Sequence, residues 1–148
     1  MGDKGEASLG QELPGVDRML GVLKWALMEM DQRYRLLEDA KTRDIETFNR
    51  RAEKRGQPIL PRIVLLIDEL ADLMMSAPDQ TEHTIVRLAQ MARAVGIHLI
   101  ISTARPSANV LTGLIRANIP ARVGLQAASK IDSRKILDMD GAAELLGA

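Results

Sequence analysis

Five consecutive apolar residues, Ile63-Val64-Leu65-Leu66-Ile67, run straight into two carboxylates, Asp68 and Glu69. An uninterrupted, mostly branched run of this length reads as a β-strand buried on both faces, the kind found in parallel sheets. In open α/β sheets, ligands gather at the carboxyl ends of the strands, so the acids stand where chemistry is expected. Paired carboxylates there suit the later half of a nucleotide-hydrolysis site: one holds a divalent cation through water, the other orients the attacking water. The earlier half, a phosphate-cradling G-x-x-x-x-G-K-[ST] loop, does not occur. Gly2, Gly5, Gly10, Gly15, Gly21 and Gly56 precede the strand, and none leads to a Lys-Ser or Lys-Thr pair. Two acids at a strand end also occur without any chemistry, so the pair needs context.

A chain of 148 residues is expected to form one domain. Lys plus Arg and Asp plus Glu are equal at 20 each. With no net charge to attract nucleic acid in bulk, any such contact must come from a local patch. The absence of cysteine excludes disulfides and thiolate metal sites. No apolar run approaches the ~20 residues that cross a bilayer, and Met1 to Gln11 lacks the apolar stretch of a signal peptide. A cytoplasmic chain is the expectation. Trp25, Tyr34 and Phe48 are the only aromatics, which disfavours the stacking platforms of single-strand binders.

Residues 1–12, rich in Gly and charge, are expected to be a disordered tail ahead of one domain over 13–148. Leu13, Val16, Leu20, Leu23, Leu27, Met30, Tyr34 and Leu37 alternate spacings of three and four. That predicts a helix over 15–40, lying on a sheet or forming a coiled-coil seam. A second helix fits 45–55, with Asp44 as N-cap and Gly56 as stop. Its Arg50, Arg51, Lys54 and Arg55 make either a solvated face or a nucleic-acid patch. After the stiff Gln57–Pro61 connector comes the strand, 62–67. Asp79-Gln80-Thr81-Glu82 predicts a capping box opening a helix over 80–95 that Gly96 ends. Further strands are expected at 97–103 and 121–126, with helices at 108–117, 129–138 and 142–146. Alternating strands and helices mean right-handed crossovers and a parallel sheet: an α/β fold with three parallel strands.

Ser102-Thr103-Ala104-Arg105-Pro106 ends the second strand, which places Thr103 in the same crevice as Glu69. Its hydroxyl could bond a γ-phosphate or its water; equally, a β-branched residue belongs in a strand. Arg93, Arg105, Arg116, Arg122, Lys130 and Arg134 scatter through the second half. Arg105, before Pro106, and Arg116, near a helix end, could present guanidinium groups to phosphates. His83 and His98 have no second His or Cys at ligand spacing, so zinc is not expected.

The segment Ile63-Val64-Leu65-Leu66-Ile67-Asp68-Glu69-Leu70-Ala71-Asp72-Leu73-Met74-Met75 resembles the Walker B segment of the FtsK/SpoIIIE family of DNA translocases. The likeness continues through Arg87–Leu99, Arg105-Pro106-Ser107, Thr112–Pro120 and Ser129–Arg134, and upstream through Lys24-Trp25, Met28-Glu29-Met30 and Arg33-Tyr34. It covers about residues 13–147. It implies a RecA-like P-loop NTPase half-core with a long N-terminal helix, from a motor that assembles as a hexameric ring around double-stranded DNA and moves it using ATP and Mg2+. The resemblance makes Asp68 the Walker B acid, reaching Mg2+ through water, and Glu69 the catalytic glutamate, with Thr103 beside them. Arg93 matches the arginine that reaches a neighbouring subunit's nucleotide, and Lys130 a second trans contact. Arg105, Arg116 and Arg134 are then the DNA-binding cations; phosphate contacts carry no sequence information, which suits a motor that runs on any DNA.

The chain departs from the family pattern in four places. The phosphate loop and its strand belong before residue 13, where there are a dozen polar residues. Ala104 stands where the family usually has Gln, and a methyl cannot bond phosphate or water. Ala77-Pro78-Asp79-Gln80 replaces a loop that often carries lysines, and the chain stops at Leu146-Gly147-Ala148, before the family's usual glycine-rich continuation. Two expectations follow: a portion of a chromosome-segregation or DNA-transfer motor that is not a competent ATPase alone, or a degenerate module that docks onto a complete FtsK-like subunit.

Overall fold

The computed structural model describes residues 15–145; the expected 1–12 tail lies outside them. The long apolar stripe forms α1, Gly15–Asp39. It lies on the helices Leu70–Ser76 and Pro78–Met91 and the turn Ala92–Val95 rather than forming a separate seam. Its buried residues are Leu23, Ala26, Met30, Arg33 and Leu37, so the inward line is rotated from the one hydrophobicity predicts. Ala26 and Arg33 are buried, while Leu27 and Tyr34 sit half-buried beside them.

The second helix, α2, spans Ile45–Lys54, with Asp44 Oδ1 accepting from the Thr47 N–H at 2.7 Å as the expected cap. Its basic face has a local task in part: the Arg51 guanidinium donates to the carbonyls of Ala40 and Lys41 at the end of α1, satisfying acceptors that a helix terminus leaves open.

Strand β1, Ile63–Ile67, pairs in parallel with β2, Ile97–Ile101, in the register Ile63↔Ile97 to Ile67↔Ile101. Between them run α3, Leu70–Ser76, α4, Pro78–Met91, and a 3-10 turn, Ala92–Val95. Helix α3 is not among the helices expected from the sequence, although Leu70, Ala71, Leu73 and Met74 are all buried. The expected capping box at Asp79 is not used. Helix α4 begins two residues before the expected start, at Pro78, whose fixed φ and missing N–H suit a first helical position. The helix predicted to reach residue 95 tightens into the 3-10 turn four residues short of that.

The fold is α/β, but two expectations about the sheet are corrected. Among the described residues the sheet has two strands rather than three. Residues 121–126 form no ladder, because their anchors face helix rather than strand. Gly124 packs so closely on Leu137 that a Cβ there would lie 2.9 Å from its side chain, and the Arg122 guanidinium bonds Arg116 O. Nor is β1 buried on both faces. Leu65 and Ile67 join α1, α3 and α4 in the core, whereas Val64, Leu66 and Ile100 are 58%, 68% and 53% exposed. Beyond β2, Thr112 caps a short α5, Gly113–Asn118, which starts later than predicted. Ser129 caps α6, Lys130–Leu137, and a 3-10 turn covers Gly141–Glu144.

Gly96 sets the entry to β2. Its φ is +77°, and a Cβ would fall 2.4 Å from Ile45 Cδ1, in a side chain only 2% exposed. Left-handed strain and overpacking act together, so Gly96→Ala is expected to destabilise the chain by about 1–3 kcal/mol. A thermal melt checks this, at roughly 2–4 °C per kcal/mol for a domain of this size; an unchanged midpoint contradicts it.

Candidate nucleotide-hydrolysis site

The carboxyl ends of β1 and β2 meet where the register requires. Ser102 continues the ladder by one bond, its N–H donating to Ile67 O at 2.8 Å, and its carbonyl accepts from Leu70 N at 2.9 Å. The Ser102 hydroxyl also donates to Asp68 O. The turn carrying the two acids is thereby fixed to the end of β2.

Glu69 turns back into this junction. Its Oε1 accepts from the Thr103 hydroxyl and from the Ala71 N–H at 3.0 Å, and its Oε2 accepts from the Ala104 N–H at 2.9 Å. Thr103 Oγ1 in turn accepts from Arg105 N at 3.1 Å. The same carboxylate is the N-cap of α3, where the helix dipole favours a negative charge. Partial burial pushes its pKa up, but the Thr103 hydroxyl, the Ala104 and Ala71 amides and the Arg105 charge outweigh this and hold it below the ordinary glutamate value. Glu69 is therefore ionised at neutral pH: an acceptor held in one orientation, not a carboxyl poised to titrate there. Ala104 contributes through its backbone, a role that its methyl side chain does not impair.

Asp68 is exposed, and among the described residues its side chain accepts no hydrogen bond and joins no ion pair. A free carboxylate at a strand end fits a water-mediated contact to Mg2+, which keeps most of its waters and takes one or two carboxylates plus phosphate oxygens. No group of three or more acids or histidines suited to a metal occurs among the described residues, so protein side chains alone do not make a cage.

The remaining candidates lie elsewhere. Arg93 is exposed in the 3-10 turn before β2, at the opposite end of the strands from Glu69. Five strand residues at ~3.3 Å each separate the two ends by roughly 15 Å. Arg93 lines a cleft of about 590 Å³ with Tyr34, Asp44, Glu46, Arg62 and His98, and has no ion-pair partner among the described residues. Arg116 and Arg122 both bind Asp138, the latter at 2.6 Å. Arg134 holds Asp140 through two bonds, at 2.5 and 3.1 Å, and that hydrogen bond keeps Asp140 below the usual carboxylate range. Lys130, at the start of α6, is near enough to add to this effect. Of the three arginines expected at DNA phosphates, Arg105 alone has no carboxylate within ion-pair distance among the described residues; it lines a second cleft with Asp72, Met75 and Ser76. Sequence reasoning missed Ser102, whose position after an apolar strand was the available signal. It also missed Asp138, left-handed at φ +60°, whose role depends on contacts no local pattern reveals.

Comparison with known proteins gives these features a setting. The FtsK/SpoIIIE family model matches residues 11–108. The chain is 57% identical to DNA translocase FtsK of Caldanaerobacter subterraneus subsp. tengcongensis over 86% of its length, covering 18% of that protein. It is 52% identical to DNA translocase SftA of Bacillus subtilis over 84% of its length, covering 13% of that one. The chain thus spans less than a fifth of these relatives. Among solved structures, the pCW3 conjugation coupling protein TcpA, in its monomer form with ATPgS, superposes with a TM-score of 0.77 at 31% identity, over 86% of this chain and 38% of that one. The cytoplasmic domain of the Thermomonospora curvata Type VII secretion ATPase EccC superposes with a TM-score of 0.76 at 27% identity, over 91% of this chain and 15% of that one. The fold is accordingly that of a RecA-like P-loop NTPase half-core. With more than half of its length matched by the family model and its fold shared with these two structures, the chain belongs to the FtsK/SpoIIIE family.

Proposed function

We propose that this chain is the Walker B half of an ATP-driven motor that moves along double-stranded DNA. The observation that carries the reading is the Glu69–Thr103 junction: an ionised carboxylate at the end of β1, locked to a hydroxyl at the end of β2. Asp68 is the residue that would hold Mg2+, which when bound would supply positive charge to the phosphate oxygens. Glu69 orients the attacking water; its lowered pKa makes it a weak proton acceptor and a good fixed dipole partner. Thr103 holds Glu69 in register and is released to phosphate or water when a nucleotide arrives. Arg93 lies too far from Glu69 to serve the same nucleotide, so it reaches the site of the next subunit in a hexameric ring, with Lys130 as a second trans contact. Arg105 contacts DNA phosphates. Arg116 and Arg134 do so in exchange for Asp138 and Asp140.

A second reading, docking onto a complete FtsK-like subunit, draws on the bare apolar face of Val64, Leu66 and Ile100. One experiment separates the two. This segment replaces the matching residues of the Caldanaerobacter relative, and ATP turnover and movement on duplex DNA are measured. Turnover at the parent's rate supports the motor; an inert chimaera that still binds the intact relative supports docking. In the active chimaera, Arg105→Ala is expected to weaken binding similarly on unrelated DNA sequences and to lower the salt slope by about 1. A changed sequence preference contradicts a backbone contact.

A further inference from the structure

Two neighbouring residues of α1 hold the two ends of the turn that carries Arg93. The Tyr34 hydroxyl donates to Met91 O at 2.6 Å, just before the turn. Arg33 Nη1 donates to Val95 O at 3.0 Å, at its last residue. The same nitrogen donates to Pro61 O at 2.7 Å, at the lead into β1, while Nε donates to Glu29 Oε1 at 2.7 Å one turn back along α1. Arg33 is 2% exposed, the largest of the fully buried side chains. A charge is buried at such cost only where its hydrogen bonds are met, and here two are met by carbonyls from separate segments. The far side of the turn is closed as well: Gly96, left-handed and against Ile45, admits no side chain, and Ile63 N bonds its carbonyl at 2.9 Å. Arg93 itself remains exposed between the two held carbonyls.

We propose that Arg33 and Tyr34 are positioning residues for Arg93, clamping the backbone of its turn so that the guanidinium is presented across the subunit interface in one direction. A cation that stabilises charge on a neighbour's phosphoryl group gains from order established beforehand, since misplacement by about 1 Å can cost ~10²-fold in rate. The clamp rests on the reading of Arg93 as a trans-acting residue. It adds that α1, distant in sequence from both acids, sets the geometry of hydrolysis in the next subunit. Neither residue touches the nucleotide in this scheme; both act through Arg93.

The test uses Tyr34→Phe, which removes one hydroxyl from a half-buried ring, and Arg33→Lys, which keeps the charge but not the planar fork. In the 148-residue chain, hydrogen exchange at the amides of residues 92–96 is expected to rise several-fold in Tyr34→Phe, with exchange at β1 unchanged. In the motor chimaera, both variants should lower kcat about tenfold with KM for ATP unaltered. Mixing with wild-type subunits should place the defect in the neighbour's site, as for Arg93→Ala measured alongside. Should Arg93→Ala act in trans while Tyr34→Phe leaves exchange and kcat at wild-type values, the clamp is overturned and the trans reading survives. Should Arg93→Ala itself act only in its own subunit, the trans reading fails and the clamp with it. A uniform rise in exchange across β1 and β2 would mean general destabilisation, and that also overturns the clamp.

Discussion

In the motor chimaera, Glu69→Gln is expected to reduce ATP turnover by at least ~10²-fold while nucleotide affinity stays near wild type. The substitution keeps length and volume and removes the charge. The charge matters because Glu69 is held ionised by the Thr103 hydroxyl and the Ala104 and Ala71 amides. A neutral amide can still accept from two of these donors at one atom. Its nitrogen, however, then meets the Ala104 N–H and presents a donor where water needs an acceptor. Binding is expected to persist because, on the proposed reading, phosphate contacts would come from the parent's glycine-rich loop and from a cation at Asp68, neither of which Glu69 supplies. Single-turnover kinetics with a separate nucleotide titration measure the two effects; unchanged turnover removes Glu69 from the chemistry. Since Glu69 also caps α3, a melt of the variant accompanies the assay. A fall of a few degrees reports the charge removed from the cap and the unmet Ala104 N–H, worth about 1 kcal/mol, and does not account for a hundredfold loss of rate. Asp68→Asn should behave differently: its side chain makes no internal bond among the described residues, so stability is retained and Mg2+-dependent affinity declines.

What could be read from the sequence divides along the range of the interactions. Boundaries fixed by a cap or a left-handed glycine were legible: Asp44 opens α2, and Gly96 ends the segment before β2. The meeting of Glu69 and Thr103 followed from the rule that parallel strands present their carboxyl ends together, and the hydrogen bond between them adds the detail. The third strand was not legible. Val123 and Leu125 alternate as a strand should, but a ladder needs a free edge beside it. Alternation does not say whether that edge is a strand or, as Gly124 against Leu137 indicates, a helix. Burial of β1 on both faces failed similarly: the residues of β1 say that they tolerate burial, while exposure depends on what lies opposite Val64 and Leu66. On α1, ranking side chains by hydrophobicity placed Tyr34 inward and left Arg33 out. The order is reversed because the carbonyls of Pro61 and Val95 need donors, and the guanidinium supplies two bonds where a phenol supplies one. The pairing of Arg116 with Asp138, across 22 residues of chain, is likewise a tertiary fact. It turns a residue read as a free phosphate contact into one that must exchange partners.

Arg93→Ala is expected to give the largest loss, ~10³–10⁵-fold in turnover, and to give it in the neighbouring subunit. The argument is one of reach. Arg93 stands before β2, Glu69 after β1, and the parallel register puts the length of both strands between them. An extended arginine side chain does not cover that distance, so no movement short of rebuilding the sheet brings the two to one phosphate. Across an interface there is no such obstacle, because the exposed guanidinium opens onto a cleft it shares with Arg62, His98 and two acids already engaged, Glu46 with Arg62 and Asp44 as the cap of α2, and no carboxylate holds it among the described residues. A cation left unpaired yet fixed at its backbone is arranged to meet an anion that arrives from outside. The decisive measurement mixes Arg93→Ala subunits, intact in Glu69, with Glu69→Gln subunits, intact in Arg93. Each is inactive alone. In mixed rings, the Glu69 site of one subunit and the Arg93 of the next complete a working pair wherever the two kinds adjoin in the right order. Recovered turnover, rising with the fraction of such neighbours, is the expected result. Rings that stay inactive at every ratio, with assembly confirmed by sedimentation, would mean that Arg93 does not complete the neighbour's Glu69 site, and the trans assignment would be lost.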